Sequence, residues 1–152
     1  KQIEKDYAGE ELLVVGILKG ASVFCADLIR EIDLDVRMDF MVVSSYGSST
    51  ESSGTVKIIK DLDVDIENKN VLIVEDIIDS GLTLSSLVAA LKNRRPKSLK
   101  LCTLLDKPQR RTANIDVDYV GYVIEDKFIV GYGIDYDEKY RNLPYIGIVE
   151  DI

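Results

Sequence analysis

Histidine is missing from all 152 residues. It is the one side chain whose unperturbed charge changes near neutral pH, so its absence excludes every mechanism built on an imidazole. Any proton transfer is left to Asp, Glu, Lys, Tyr or Cys. Cysteine is nearly absent: Cys25 and Cys102 are too few and too far apart for a disulfide scaffold or a zinc site. Cys25 lies on an apolar helical stripe and Cys102 in an apolar strand run, which predicts buried inert thiols and a reducing, cytoplasmic compartment. No apolar run approaches the roughly 18 residues of a membrane span, and no signal-peptide pattern opens the chain. Positive charge is the minority sign. With 27 Asp and Glu against 19 Lys and Arg, the formal charge is -8, which disfavours nonspecific binding to nucleic acid or to an anionic membrane. A local phosphate site stays open, since backbone N–H groups and a few placed cations can build one in an acidic protein.

What is present reads as one soluble globular domain over residues 1–152, with 46% hydrophobic and 30% charged residues. The chain opens on Lys1 and is expected to be a piece of a longer protein. Residues 12–18 (LLVVGIL) predict a buried strand. Cys25, Leu28, Ile29 and Ile32 then recur at i, i+3, i+4, i+7, the stripe of a helix. Residues 40–44 predict a second strand, 46–54 (YGSSTESSG) a loop, and 56–59 a short strand. Leu84, Leu87, Val88 and Leu91 mark another helix, ended near Pro96. Residues 99–105, 119–123 and 145–149 are three further strand candidates. Strands alternating with helices predict an α/β fold with a mostly parallel sheet, and the strand-rich tail an antiparallel addition.

Several generic signatures fail. There is no GxxxxGK[ST] phosphate loop. The GYG at 131–133 lacks the third glycine and the helix of a dinucleotide fingerprint. DLDVDI at 61–66 has calcium-loop aspartate spacing, but Ile66 and Leu72 stand where Gly and Glu are required.

One unit survives. In VLIVEDIIDSGLTL (71–84) an uninterrupted apolar run, the mark of a strand buried on both faces, meets Glu75 and Asp76. Asp79, Ser80, Gly81, Leu82 and Thr83 follow where the strand turns into a helix. The free N–H groups of a first helical turn can hold a monophosphate. Simple capping by Asp79 or Ser80 explains the turn equally well, but it does not explain two further acids on the strand end. Phosphate on the N–H groups and sugar hydroxyls on the acids would suit a phosphorylated sugar.

This stretch resembles the phosphoribosyl pyrophosphate (PRPP) motif of the type I phosphoribosyltransferases, and its EDIIDSG form resembles their hypoxanthine–guanine branch. The resemblance covers nearly the whole chain. GILKGA (16–21) resembles the family's pyrophosphate loop and SSYGSST its mobile active-site loop. LLDKP resembles its purine-contacting strand end, and DKFIVGYGIDYDEKYRNLP its base-binding hood and distal pyrophosphate site. The resemblance implies a mostly parallel twisted sheet flanked by helices, with a small base-binding hood. Members carry an additional segment before the first strand.

The site residues it implies are these. Lys19 and Gly20 meet the leaving pyrophosphate with Arg141, and Ser45 and Tyr46 belong to the closing loop. Glu75 and Asp76 face the ribose hydroxyls, with magnesium bridging hydroxyl and pyrophosphate oxygens. Asp79, Ser80, Gly81, Leu82 and Thr83 cradle the 5′-phosphate. Lys107 donates to the purine O6, Phe128 stacks on the base, and Ile129 reads the base edge through its backbone. Asp135 supports a second magnesium and the base pocket. With no histidine, Asp79 is the candidate acceptor of the N7 proton. The implied reaction moves ribose 5-phosphate from PRPP to N9 of hypoxanthine or guanine, giving IMP or GMP and pyrophosphate, in purine salvage. The implied partners are these small molecules and Mg2+, in a homodimer or homotetramer, with no nucleic acid and no membrane. Two rivals are a phosphoacceptor receiver domain, which would carry its acid pair at the first strand, and a catalytically inactive PRPP-fold sensor that binds nucleic acid.

Overall fold

The computed structural model describes residues 1–45 and 56–150. A short helix α1 (Gln2–Asp6) precedes β1 (Glu11–Ile17), α2 (Ser22–Arg30), β2 (Asp35–Ser45) and β3 (Val56–Lys60). Then come β4 (Asn70–Ile78), α3 (Leu82–Lys92), β5 (Ser98–Asp106), a 3₁₀ turn (Pro108–Arg110), β6 (Tyr119–Val123), β7 (Ile129–Val130) and β8 (Gly147–Ile148). Six strands form one sheet in the order β3-β2-β1-β4-β5-β6, and β7 pairs with β8 apart from it. All neighbours in the large sheet are parallel except β3, which runs antiparallel to β2 at one edge.

The alternation of side chains along a strand explains the solid apolar runs. On β1, Leu13, Val15 and Ile17 join Val71 and Ile73 of β4 in a core under Leu84, Leu87 and Leu91 of α3. Leu12 and Val14 join Leu72 and Val74 on the opposite face, with Cys25 of α2 and with Ile3 and Tyr7 at the amino terminus. Both faces are therefore covered, as parallel sheets require. The two thiols are buried here, and burial pushes Cys25 up to about 11 and Cys102 up to about 12, so they are inert.

One sequence expectation shifts. Residues 119–123 do not belong to an antiparallel tail: they extend the main sheet as β6, parallel to β5. The antiparallel addition in the tail is the pair of Gly147–Ile148 with Ile129–Val130. This pair sits over a small separate core of Leu104, Leu105, Ile129 and Ile134 at the end of β5, the hood of the fold. The α3 helix ends as expected near Pro96, with its C-cap at Asn93. Among the described residues no helix is long and apolar enough to cross a membrane.

Candidate active site

From β1 the chain builds outward to β2 and β3, then returns to place β4 on the other side of β1. Such a reversal opens a crevice beyond the carboxyl ends of the two central strands. Into it project the turn after β1, carrying Lys19 and Gly20, and the acids that end β4.

The alternation that sends Ile73 toward α3 and Val74 toward α2 places Glu75 and Asp76 on opposite sides of the sheet. Glu75 lines a cavity of about 240 Å³ with Ile77 and residues 78–84. Asp76 turns to the β1 loop, where its carboxylate fills the space a β-carbon on Gly20 would need. Burial, and then the neighbouring Asp76 charge, push the Glu75 carboxyl well above the usual carboxylate range. Burial also raises Asp76, opposed by the N–H of Ile77, which donates at 2.7 Å, and by the Arg141 charge.

Helix α3 starts at Leu82 with Gly81 as its N-cap, at φ +79°, and no side chain caps it. The capping role open to Asp79 in the sequence is not what the structure contains. Ser80 accepts the Leu82 N–H at 3.3 Å through its hydroxyl, and Asp79 turns away to Lys107. The remaining first-turn N–H groups, with the positive end of the helix dipole, face the cavity. An anion cradle also needs its carbonyls directed elsewhere. Residues 111–113 provide this: the N–H groups of Thr112 and Ala113 both donate to the Ser80 carbonyl at 3.0 Å, and Arg111 Nε donates to the Asp79 carbonyl at 3.2 Å. Arg111 is held in turn by an ion pair with Asp106 at the end of β5.

Lys107 is not a surface lysine. It is 8% exposed, its N–H donates to the Ile78 carbonyl at 3.0 Å, and its Nζ lies 3.6 Å from both Asp79 and Asp126.

In the turn after β1, the Leu18–Lys19 peptide is cis. Among the described residues the Lys19 and Gly20 N–H groups have no backbone acceptor, which leaves two donors for an anion. The Lys19 side chain ion-pairs with Glu138 at 3.0 Å. Gly133, at φ +94°, comes so close to this loop that a β-carbon on it would stand 2.9 Å from the Gly20 carbonyl oxygen. Arg141 donates to the Gly133 carbonyl at 2.7 Å and pairs with Glu138 and Asp135 at 3.3 and 3.5 Å, while its buried Nε has no partner among the described residues. Asp135 accepts the Glu138 N–H at 2.9 Å. Tyr132 donates its hydroxyl to Asp27 of α2, and burial followed by this bond raises it to about 12.

Phe128 is 44% exposed and meets Tyr136 edge-to-face, ring centroids 5.3 Å apart. An aromatic in an apolar run belongs to the core by default, and this one does not. Ile129 follows. The Val149 N–H donates to the Phe128 carbonyl at 2.8 Å, so Phe128 and Val149 form a hydrogen-bonded pair of the antiparallel ladder. The next pair, Ile129 with Ile148, is by alternation a non-bonded one. The backbone groups of Ile129 therefore point away from β8.

Ser45 ends β2, exposed. Tyr46 and residues 47–54 lie outside the described residues. Glu75, Asp76 and Asp135 were expected to hold metal; among the described residues no group of three or more His, Cys, Asp or Glu gathers into a cluster, so Asp135 stands apart from the acid pair. Glu75 and Asp76 leave the strand on opposite faces, so each offers a single carboxylate, which suits a magnesium-type ion commonly held by one or two carboxylates with water and substrate oxygens completing the shell. Burial raises both carboxyls, and at Asp76 the Ile77 N–H and the Arg141 charge offset it only in part. Asp126 and Arg111 were missed by the sequence reading. The only signal for either was position, Asp126 two residues before Phe128 and Arg111 just beyond the LLDKP strand end.

Residues 1–137 match the model of the phosphoribosyl transferase domain. The chain is 58% identical over 150 residues to the bifunctional protein TilS/HprT of Listeria innocua, covering 99% of this chain but only 23% of that protein. It therefore spans about a quarter of the length of these bifunctional relatives. It is 57% identical over 149 residues to the hypoxanthine-guanine phosphoribosyltransferase of Bacillus subtilis, covering 98% of this chain and 83% of that one. A crystal structure of a hypoxanthine-guanine phosphoribosyltransferase from Bacillus anthracis, with a HEPES molecule in its active site, superposes with a TM-score of 0.94 at 58% identity, over 98% of this chain and 88% of that one. In sequence along almost its whole length and in the path of its backbone, this chain belongs to the hypoxanthine-guanine phosphoribosyltransferase family.

Proposed function

We propose that the chain transfers ribose 5-phosphate from PRPP to N9 of hypoxanthine or guanine, giving IMP or GMP and pyrophosphate in purine salvage. The observation that carries this reading is a convergence at one crevice: a helix start with a glycine N-cap, two carboxylates raised by burial and a buried lysine whose ammonium lies 3.6 Å from the Asp79 carboxylate.

The 5′-phosphate lies on the N–H groups of residues 80–83, backed by Arg111. Glu75 and Asp76 face the ribose hydroxyls, and their negative charge favours an anomeric carbon that becomes oxocarbenium-like as the leaving group departs. The Lys19 and Gly20 N–H groups and the Arg141 guanidinium take up the charge that grows on pyrophosphate. Glu75 and Asp76 would hold magnesium, with Asp135 supporting a second ion, and the metal would supply charge neutralisation for the leaving group. Phe128 covers the base, Lys107 donates to O6, and Asp79 accepts the N7 proton. A carboxylate is a weak base toward a purine N–H, and the lysine on O6 offsets this by stabilising the anion that forms. A donor at O6 opposes adenine, whose 6-amino group is itself a donor. We place the enzyme in the cytoplasm as a homodimer or homotetramer.

The test is separate incubation of hypoxanthine, guanine, xanthine and adenine with PRPP and magnesium, followed by nucleotide detection. Product from hypoxanthine or guanine that disappears when magnesium is removed is the expected result. PRPP that fails to bind, or product from adenine alone, overturns the reading.

A further inference from the structure

The Lys107 ammonium is balanced between two carboxylates at equal distance, Asp79 on the phosphate cradle and Asp126 on the segment leading to the hood. At 3.6 Å each contact is an ion pair longer than a tight hydrogen bond, so neither acid captures the ammonium alone. Asp126 is itself held: Arg110 Nη1 donates to its other oxygen at 3.4 Å. The strand end beneath is fixed by the Ile124 N–H, which donates to the Asp106 carbonyl at 2.8 Å. Two residues beyond Asp126 comes the exposed ring of Phe128.

We infer that Asp126 is a positioning residue for purine selection, holding Lys107 away from Asp79 so that one ammonium N–H is kept for an acceptor on the base. The inference rests on the reading of Lys107 as the group that meets the purine O6. An ammonium has three donors and no acceptor. Drawn equally toward both carboxylates and captured by neither, the ammonium keeps a donor for an acceptor on the base, which a 6-oxo group provides and a 6-amino group does not. Without Asp126 the ammonium has one anionic neighbour left in this cluster and is drawn onto Asp79. That turns the donor from the base and masks the carboxylate that takes the N7 proton. The nearby Arg111 does not compete, since it is engaged with Asp106 and the Asp79 carbonyl.

The test compares Asp126→Asn, Asp126→Glu, Arg110→Met and Lys107→Met by steady-state kinetics with PRPP and hypoxanthine or adenine, after a thermal melt shows each variant folded. Asp126→Asn is expected to raise the hypoxanthine KM about tenfold, leave the PRPP KM within about twofold, and narrow the preference for hypoxanthine over adenine. Asp126→Glu restores most of the loss, and Arg110→Met, which removes only the anchor of Asp126, gives a smaller change in the same direction. Loss of stability with unchanged purine KM, or an equal rise in both KM values, overturns the inference. If Lys107→Met raises the hypoxanthine KM while Asp126→Asn does not, the role of Asp126 fails and that of Lys107 stands. If Lys107→Met leaves it unchanged, both fail.

Discussion

The Asp76 carboxylate occupies the volume that a β-carbon on Gly20 would need. The turn after β1 reaches the acid pair only because residue 20 is glycine. On its other side the Gly20 carbonyl oxygen lies against Gly133, where a β-carbon would approach to 2.9 Å. The leaving-group loop is thus wedged between the acid pair and the hood with no side chain of its own at the contact. Gly20→Ala must displace the carboxylate or the loop. Overpacking of this kind costs about 1–3 kcal/mol, so kcat/KM for PRPP falls about 5- to 150-fold, with a much smaller change in the purine KM. Steady-state kinetics with each substrate varied in turn checks this, and equal effects on both substrates would show that the wedge is only structural.

Asp79 faces Lys107 instead of capping α3, which frees it to exchange a proton. Asp79→Asn keeps the shape and removes the base, and general-base catalysis is worth roughly 10²–10⁴ in rate. Single-turnover measurements should find the chemical step slowed by at least about 10² while the PRPP Kd moves by much less. An equal loss in both would remove Asp79 from the proton-transfer role.

The raised carboxyls at Glu75 and Asp76 make a signed prediction. Without ligand, the folded protein keeps protons on these groups at pH values where the unfolded chain has lost them. The protein therefore has their full contribution to stability below the ordinary carboxylate pKa and loses it as pH rises through the raised folded values. Melting curves across that window should show Glu75→Gln gaining on the parent protein as pH increases. Binding of PRPP with magnesium should release protons in the same window, as calorimetry in buffers of different ionisation enthalpy would record, and Glu75→Gln should reduce the release.

Arg111 ties the Asp79 carbonyl to Asp106 without facing the crevice as a candidate ligand. Arg111→Met breaks a partly buried charge-assisted contact worth roughly 1.5–3 kcal/mol and loosens the cradle. The PRPP KM should rise about tenfold or more, and inorganic phosphate should inhibit more weakly. Unchanged phosphate inhibition would mean that Thr112 and Ala113 suffice to hold the turn.

Much of this was legible in the residues, for reasons that differ along the chain. The run 71–74 continues straight into Glu75 and Asp76, and a strand buried on both faces has no polar face on which acids could hide. Their place at a ligand crevice followed. Lys107 was different: a lysine after a strand looks solvated until its neighbours are known, and its two partners come from other segments, one of them beyond β6. The tail was the least readable. Residues 131–140 include four non-glycine residues at positive φ, Tyr132, Asp137, Glu138 and Tyr140, a conformation set by contacts with the β1 loop and α2 that no local period encodes. The parallel setting of β6 was hidden for a similar reason. Its outer positions, Tyr122 and Val123, are exposed at a sheet edge, and a strand's own sequence does not record the direction of its neighbour.

The contact between Gly20 and Gly133 joins the first turn of the sheet to the hood, a segment made much later in synthesis. Synthesis proceeds from the amino terminus, and early segments can begin to order before later ones exist. A nascent chain ending before residue 131 already contains the phosphate cradle and the acid pair. It contains neither the glycine that seats the β1 loop nor the arginine beside it. Such a chain carries the residues proposed for the 5′-phosphate and the ribose but not those proposed for pyrophosphate, so the proposed site is completed only once the hood segment has been made.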